Sequence, residues 1–161
     1  MDAGKPNFTE ICAILCIDTS SLFYRACSIC ERTLPENPPA PRCHHCAARN
    51  AAASTGAKRL FRVLMSVATD EKVFTAVCFD RTARVIFGCS ADEFFEFAKL
   101  HPFAPAAASR VLEGELFRMT LSTPKTGNAQ HLRIASVVPL RSEYQPVFKC
   151  LRERYGTRSH S

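Results

Sequence analysis

Five apolar runs of strand length, a capped helix between the third and fourth of them, and a cysteine-rich segment after the first predict a mainly β fold. That order is the order of a five-stranded OB-fold barrel, with the cysteine segment inserted in the long loop between strands 1 and 2. A C-terminal helix follows the fifth strand. At 161 residues, 47% hydrophobic and 22% charged, the chain has the size and composition of one globular domain with an appendage. The expected boundaries are 10–140 for the barrel, with the insertion at about 24–50, and 141–161 for a helix and basic tail.

The first strand is "EICAILCID", Glu10 to Asp18. Residues 19–57 hold four cysteines, "PENPPAP" and "AARNAAASTGA", with no steady period of 2 or 3.6, and read as a loop module. In "KRLFRVLMSVAT", Lys58 to Thr69, the residues Phe61, Val63, Met65 and Val67 share one face, giving the second strand. Asp70-Glu71-Lys72 turns the chain into the third, "VFTAVCFD", Val73 to Asp80. Ser90 with Glu93 forms a capping box and opens a helix over Ala91 to Leu100. Phe94, Phe95 and Phe97 on that helix are expected to plug one barrel end. "HPFAPAAAS" reads as a break because of its two prolines. Glu115 to Ser122 and Gln130 to Leu140 are the fourth and fifth strands, joined by the turn "TPKTGNA". From Glu143 to Tyr155, the side chains Val147, Phe148, Leu151 and Tyr155 recur at helical spacing. No internal repeat is present.

The net charge of +6 favours a polyanionic partner, nucleic acid before membrane. The apolar runs fall short of the roughly 20 residues that span a bilayer, so no membrane is expected. The start, "MDAGKPNFTE", has neither a basic n-region nor an apolar h-region, so no signal peptide is expected and a reducing compartment is. In such a compartment the nine cysteines, an odd number, are not expected to form disulfides.

Cys27-x-x-Cys30 and Cys43-x-x-Cys46 supply four thiolates on two turns. Zinc takes four ligands at tetrahedral angles, about 2.3 Å from each sulfur, which two such turns can offer. A redox dithiol needs a single pair opening a helix in a βαβ setting, and that setting is missing. Four cysteines leave no open coordination position, so the expected zinc is a single structural ion. His44 and His45 are expected to be solvent-facing turn residues. Cys12, Cys16, Cys78, Cys89 and Cys150 are expected to act as small buried hydrophobes. On a regular strand Cys12 and Cys16 would share a face roughly 13 Å apart, too far for one metal.

"YRACSIC", "CHHC", "KRLFRVLMSVAT" and "VCFDRTARVIFGCSADEFFEF", in that order, resemble the C-terminal DNA-binding domain of the replication protein A large subunit. The matching positions are Tyr24, Cys27, Cys30, Cys43, Cys46, Phe79, Asp80, Gly88, Ser90, Ala91 and Glu93, within a similarity running from Ile11 to Leu140. The resemblance implies a zinc ribbon inserted in an OB-fold, single-stranded DNA binding, a nuclear location, and work in replication, recombination or repair. It also implies that the C-terminal helix bundles with other OB-fold subunits, with Val147, Phe148, Leu151 and Tyr155 as contacts. Three further OB domains that precede this one in the family are missing here, which suits a stand-alone relative or a fragment. "PENPPAP" makes the ribbon more proline-rich than the family's.

OB-folds bind single strands across strands 2 and 3, with bases on aromatic rings and cations along the phosphates. The residues placed there are Lys58, Arg59, Phe61, Arg62, Phe79 and Arg81, joined by Lys125 in the turn and by His131 and Arg133 on strand 5. Phe61 and Phe79 alternate with apolar neighbours and suit the core as well. The expected partner is single-stranded DNA, with RNA possible by the same chemistry. An adaptor role through the C-terminal helix is the alternative. No catalytic set, P-loop or dinucleotide fingerprint is present, so no enzyme activity is expected.

Overall fold

The computed structural model describes residues 7–34, 56–123 and 131–155. Cys43, His44, His45, Cys46 and Lys125 lie outside them. The described residues form six strands: β1 (Phe8–Ile17), β2 (Phe23–Cys27), β3 (Ala57–Ala68), β4 (Val73–Phe79), β5 (Leu116–Ser122) and β6 (Leu132–Pro139). β3 pairs with β4, β4 with β6, β6 with β5, β5 with β1, and β1 back onto β3, which closes a five-stranded barrel. All these ladders are antiparallel except β4–β6, which is parallel. That connectivity is the OB-fold order expected from the sequence.

β2 is the strand that the sequence hides. It pairs antiparallel with the first half of β3, Phe23 facing Phe61 and Cys27 facing Ala57. Its five residues show too short a pattern to read alone, and its pairing partner lies across the whole cysteine module.

Four helices complete the described fold: α1 (Asp80–Phe87), α2 (Ala91–Leu100), α3 (Ala104–Leu112) and α4 (Val147–Tyr155). α2 starts with the expected capping box, Ser90 Oγ accepting from Glu93 N–H at 3.1 Å and Glu93 accepting from Ser90 N–H at 2.8 Å. α1 and α3 depart from the sequence reading. α1 buries Ala83, Ile86 and Phe87 on one face and ends at Gly88, whose left-handed φ of 75° lets its N–H close on Arg84 O at 2.7 Å. α3 forms in the segment read as a break. Pro105 falls in its first turn, where no backbone N–H donor is needed, so it starts the helix instead of stopping it.

The core is aromatic at one end. Phe61 and Phe87 stack at 4.7 Å, and Phe94 meets Phe87 edge-on at 5.2 Å, so α1 and α2 together seal that mouth. Phe94 makes the plug with Phe87; Phe95 and Phe97 are only half-buried. Cys12, Cys78 and Cys89 are buried as expected. Cys16 is exposed, because a bulge between Ile14 and Cys16 turns its side chain to the outside of the barrel. Cys150 is half-buried on α4. Among the described residues, no helix is long and apolar enough to cross a membrane.

Candidate nucleic-acid interface and metal knuckle

Period-2 alternation sorts the residues of β3 and β4 between two faces. Inward go Phe61, Val63, Met65 and Val67, with Ala76 and Cys78 across from them. Outward go Arg62 opposite Phe79, Leu64 opposite Val77, and Ser66 opposite Thr75. β6 lies beside β4 and sets Arg133 next to Val77. The Arg133 guanidinium covers the Phe79 ring at 4.9 Å. β2 adds Tyr24 opposite Leu60 on the other flank. Burial pushes the Tyr24 phenol up, and the carboxylates of Asp80 and Glu31 push it further, with Arg133 partly opposing them. The outcome is one wall carrying two rings, two exposed guanidinium groups and an aliphatic floor.

Asp80 fixes the edge of this wall. Its Oδ1 accepts the Phe61 N–H at 3.0 Å and its Oδ2 accepts Arg84 Nε at 3.0 Å. One carboxylate therefore starts α1 and satisfies a β3 donor at the point where β4 ends.

Several expected contacts stand elsewhere. Phe61 is fully buried against Phe87 and belongs to the core, which removes it from any surface. Arg59 shares the inward parity of Phe61; its guanidinium lies 3.5 Å over the Phe95 ring and 3.8 Å from Asp92. Asp92 also accepts the Arg59 N–H, at 3.2 Å. Arg59 thus ties β3 to α2, with its side chain 35% exposed. Lys58 is bound to Glu31 at 2.6 Å, and this contact holds the Glu31 carboxyl below its usual range. Arg81 is exposed on the first turn of α1, and His131 is half-buried just before β6. Tyr24, noted in the sequence only as a position matching the family, joins the wall. The signal was the short alternation of "FYRAC", legible only once it pairs with β3.

The expected contact residues of α4 also divide. Val147 and Leu151 are completely buried against the barrel and cannot meet a second chain. Phe148 and Tyr155 are half-buried, packed on Phe97, and Tyr155 stacks on His101 at 4.7 Å. Phe148 shares with Phe97 and Leu100 a groove of about 530 Å³ between α2 and α4.

Cys27 ends β2 and begins a tight turn. Its N–H donates to Arg32 O at 2.9 Å, and Glu31 N–H returns to Cys27 O at 2.9 Å. Ile29 N–H donates to Cys27 Sγ at 3.4 Å. Glu31, just past Cys30, has a φ of 64°, the left-handed residue that lets the turn close. Cys27 and Cys30 pack with Leu34 in a small cluster separate from the barrel core. Two soft sulfur donors on one turn suit zinc. These are two of the four expected ligands. Among the described residues, no group of three or more potential ligands comes together.

The model of the family described as the replication factor-A C-terminal domain matches residues 7–138. No curated protein matches. Solved structures do. One is described as a replication protein A heterotrimer bound to ssDNA; its chain is 15% identical, with a TM-score of 0.71 over 97% of this chain. Another is described as yeast RPA bound to ssDNA, 16% identical, with a TM-score of 0.67 over 94% of this chain and 85% of its own. The chain spans about a third, 34%, of the length of the heterotrimer chain it matches. At these identities the likeness is one of fold.

Proposed function

Because the chain belongs to the replication factor-A C-terminal domain family, we propose that it binds single-stranded DNA across the outer wall of β2, β3, β4 and β6. The observation that carries the reading is the Tyr24, Arg62, Phe79 and Arg133 group on one open wall, rings beside guanidinium groups. Bases stack on Tyr24 and Phe79, and Arg62 and Arg133 follow the phosphates, with Arg81 extending the track; the turn residue Lys125 is proposed as a further phosphate contact from its charge alone. The module acts without catalysis, in the nucleus, in replication, recombination or repair. RNA is bound by the same chemistry where the 2′-OH is tolerated.

One structural zinc, held by Cys27, Cys30, Cys43 and Cys46, belongs to this reading. It is supported by the Cys27 turn and by the soft donor set. The ion supplies folding free energy and does no chemistry on a ligand. The turn leads back through β2 to Tyr24, so the metal sets the position of one side of the wall.

The test is fluorescence anisotropy with a labelled oligo(dT) at two salt concentrations. Binding should weaken steeply with salt. Replacing Arg62 and Arg133 by Ala together should flatten the log–log slope by about 1.4, from about 0.7 for each single-strand phosphate contact. An unchanged slope would remove both from the site.

A second reading is favoured by the groove between α2 and α4. There Phe97, Leu100 and Phe148 would take the apolar face of a helix from another OB-fold subunit. A chain that binds no oligo(dT) at low salt but forms a defined complex with such a subunit would make assembly its function.

A further inference from the structure

We propose that the outer wall of β1, β5 and the far end of β6 docks an acidic, aliphatic segment of a partner protein. The interior positions of these strands are filled by Cys12, Ile14, Phe117, Met119 and Leu121, all fully buried. Alternation therefore sends the intervening residues to solvent, where polar side chains are the rule. Here two ranks are aliphatic apart from one arginine. Ile11, Arg118 and Val138 stand side by side across the three strands. Beside them run Ala13 and Leu116, with Leu140 hydrogen-bonded to Leu116 O at 3.0 Å. Exposure is 45% for Ile11, 39% for Leu116, 56% for Val138 and 39% for Leu140. The next rank, Thr9, Thr120 and Ser136, is polar and closes the patch on that side.

Arg118 decides what covers this wall. It stands between Ile11 and Val138, and among the described residues no carboxylate lies within ion-pair distance of it. Arg141, at the rim, is instead held by both Glu115 oxygens at 2.9 and 3.0 Å. Covering the aliphatic ranks desolvates the Arg118 guanidinium, which is costly unless the cover brings a carboxylate. A second copy does not: a two-fold contact would set Arg118 near Arg118, on chains that each carry +6. A nucleic acid would satisfy Arg118 but finds aliphatic neighbours and no ring to stack on. An acidic segment with branched aliphatic side chains matches both features. The inference stands apart from the DNA reading, since Arg133 sits at the opposite end of β6 from Val138.

The experiment pans phage-displayed random peptides on the full chain and measures the recovered peptides by fluorescence anisotropy. Aliphatic sequences carrying Asp or Glu should be enriched. Arg118→Glu should weaken them about tenfold, and the same peptides with Lys for Glu should bind that variant in preference to the parent. Ile11→Ser with Val138→Ser, at exposed positions, should abolish binding while the far-UV dichroism is kept. No enrichment, or enriched peptides indifferent to Arg118→Glu, would overturn the proposal. So would a concentration-dependent dimer lost on Val138→Ser, which assigns the wall to a second copy. Loss of oligo(dT) binding on Arg118→Glu would overturn it as well, placing the wall in the DNA path.

Discussion

Phe61 and Phe79 are both strand phenylalanines at the same mouth, and parity alone separates them. Phe61 points in and touches Phe23, Phe87 and Phe94. Phe61→Ala should therefore cost about 3–5 kcal/mol in chemical denaturation. Phe79 points out under Arg133, so Phe79→Ala should leave the unfolding midpoint near that of the parent and weaken oligo(dT) binding by about 1–3 kcal/mol. If the two variants exchange these phenotypes, the register of β3 on β4 is misassigned. The thiols separate in the same way. Burial pushes Cys78 and Cys89 up to about 12, so both stay neutral in the folded chain where the unfolded chain ionises near its ordinary value. A group raised on folding stabilises fully below its unfolded pKa and loses that stability on the way up to its folded pKa. Melting temperature should therefore fall from about pH 9 to pH 12, less steeply in Cys78→Ala relative to its own neutral-pH value. Under native conditions Cys16 should alkylate before Cys12, Cys78 or Cys89, read by peptide mass mapping.

At the scale of elements, Gly88 shows how α1 and α4 are joined. A Cβ on Gly88 would meet the Pro146 side chain just ahead of α4, and its φ of 75° already disfavours a side chain. Gly88→Ala should lower stability by about 1–2 kcal/mol or more and speed amide exchange in both helices. Leu151→Ala should cost about 2–5 kcal/mol, as expected for a helix that covers the barrel. Chelation should act elsewhere, raising exchange in β2 and at residues 28–34 before the barrel strands respond. Simultaneous loss would show that the knuckle and barrel are one cooperative unit. The barrel strands and α2 were legible because each carries its own period or cap. β2, α1 and α3 were not, for three separate physical reasons. β2 takes its strand character from pairing with β3. α1 has a single short apolar face directly after a strand. α3 contains a proline whose meaning depends on whether it falls in the first turn or later.

For the whole molecule, the barrel and its outer β3–β4 wall follow from alternation, and the exceptions come from contacts that no local pattern contains. Arg59 and Arg62 look alike in sequence, two positions before Phe61 and one after it. Opposite strand parity, together with the approach of Phe95 and Asp92 on α2, gives the two side chains different surroundings. Cys16 looks like Cys12, and only a bulge separates them. The overall charge of +6 fits a polyanion-binding chain, and its effect is testable as a whole. Association with oligo(dT), followed by stopped flow, should slow with added salt, as electrostatic steering requires. A rate independent of salt would place the cations away from the path of approach.

The ladder from β1 to β5 has a consequence for synthesis. Ala13 pairs with Leu116 and Phe8 with Leu121, so the strand translated first among the described ones can meet β3 early but waits for more than half the chain before its other neighbour, β5, exists. Closing so long a loop is slow compared with forming the β3–β4 hairpin or any of the helices. A nascent chain stalled before Leu116 therefore holds Ile14 and Ile17 with one side of their barrel missing. Such a piece should be retained by chaperones or precipitate, and should gain solubility abruptly once β5 leaves the ribosome.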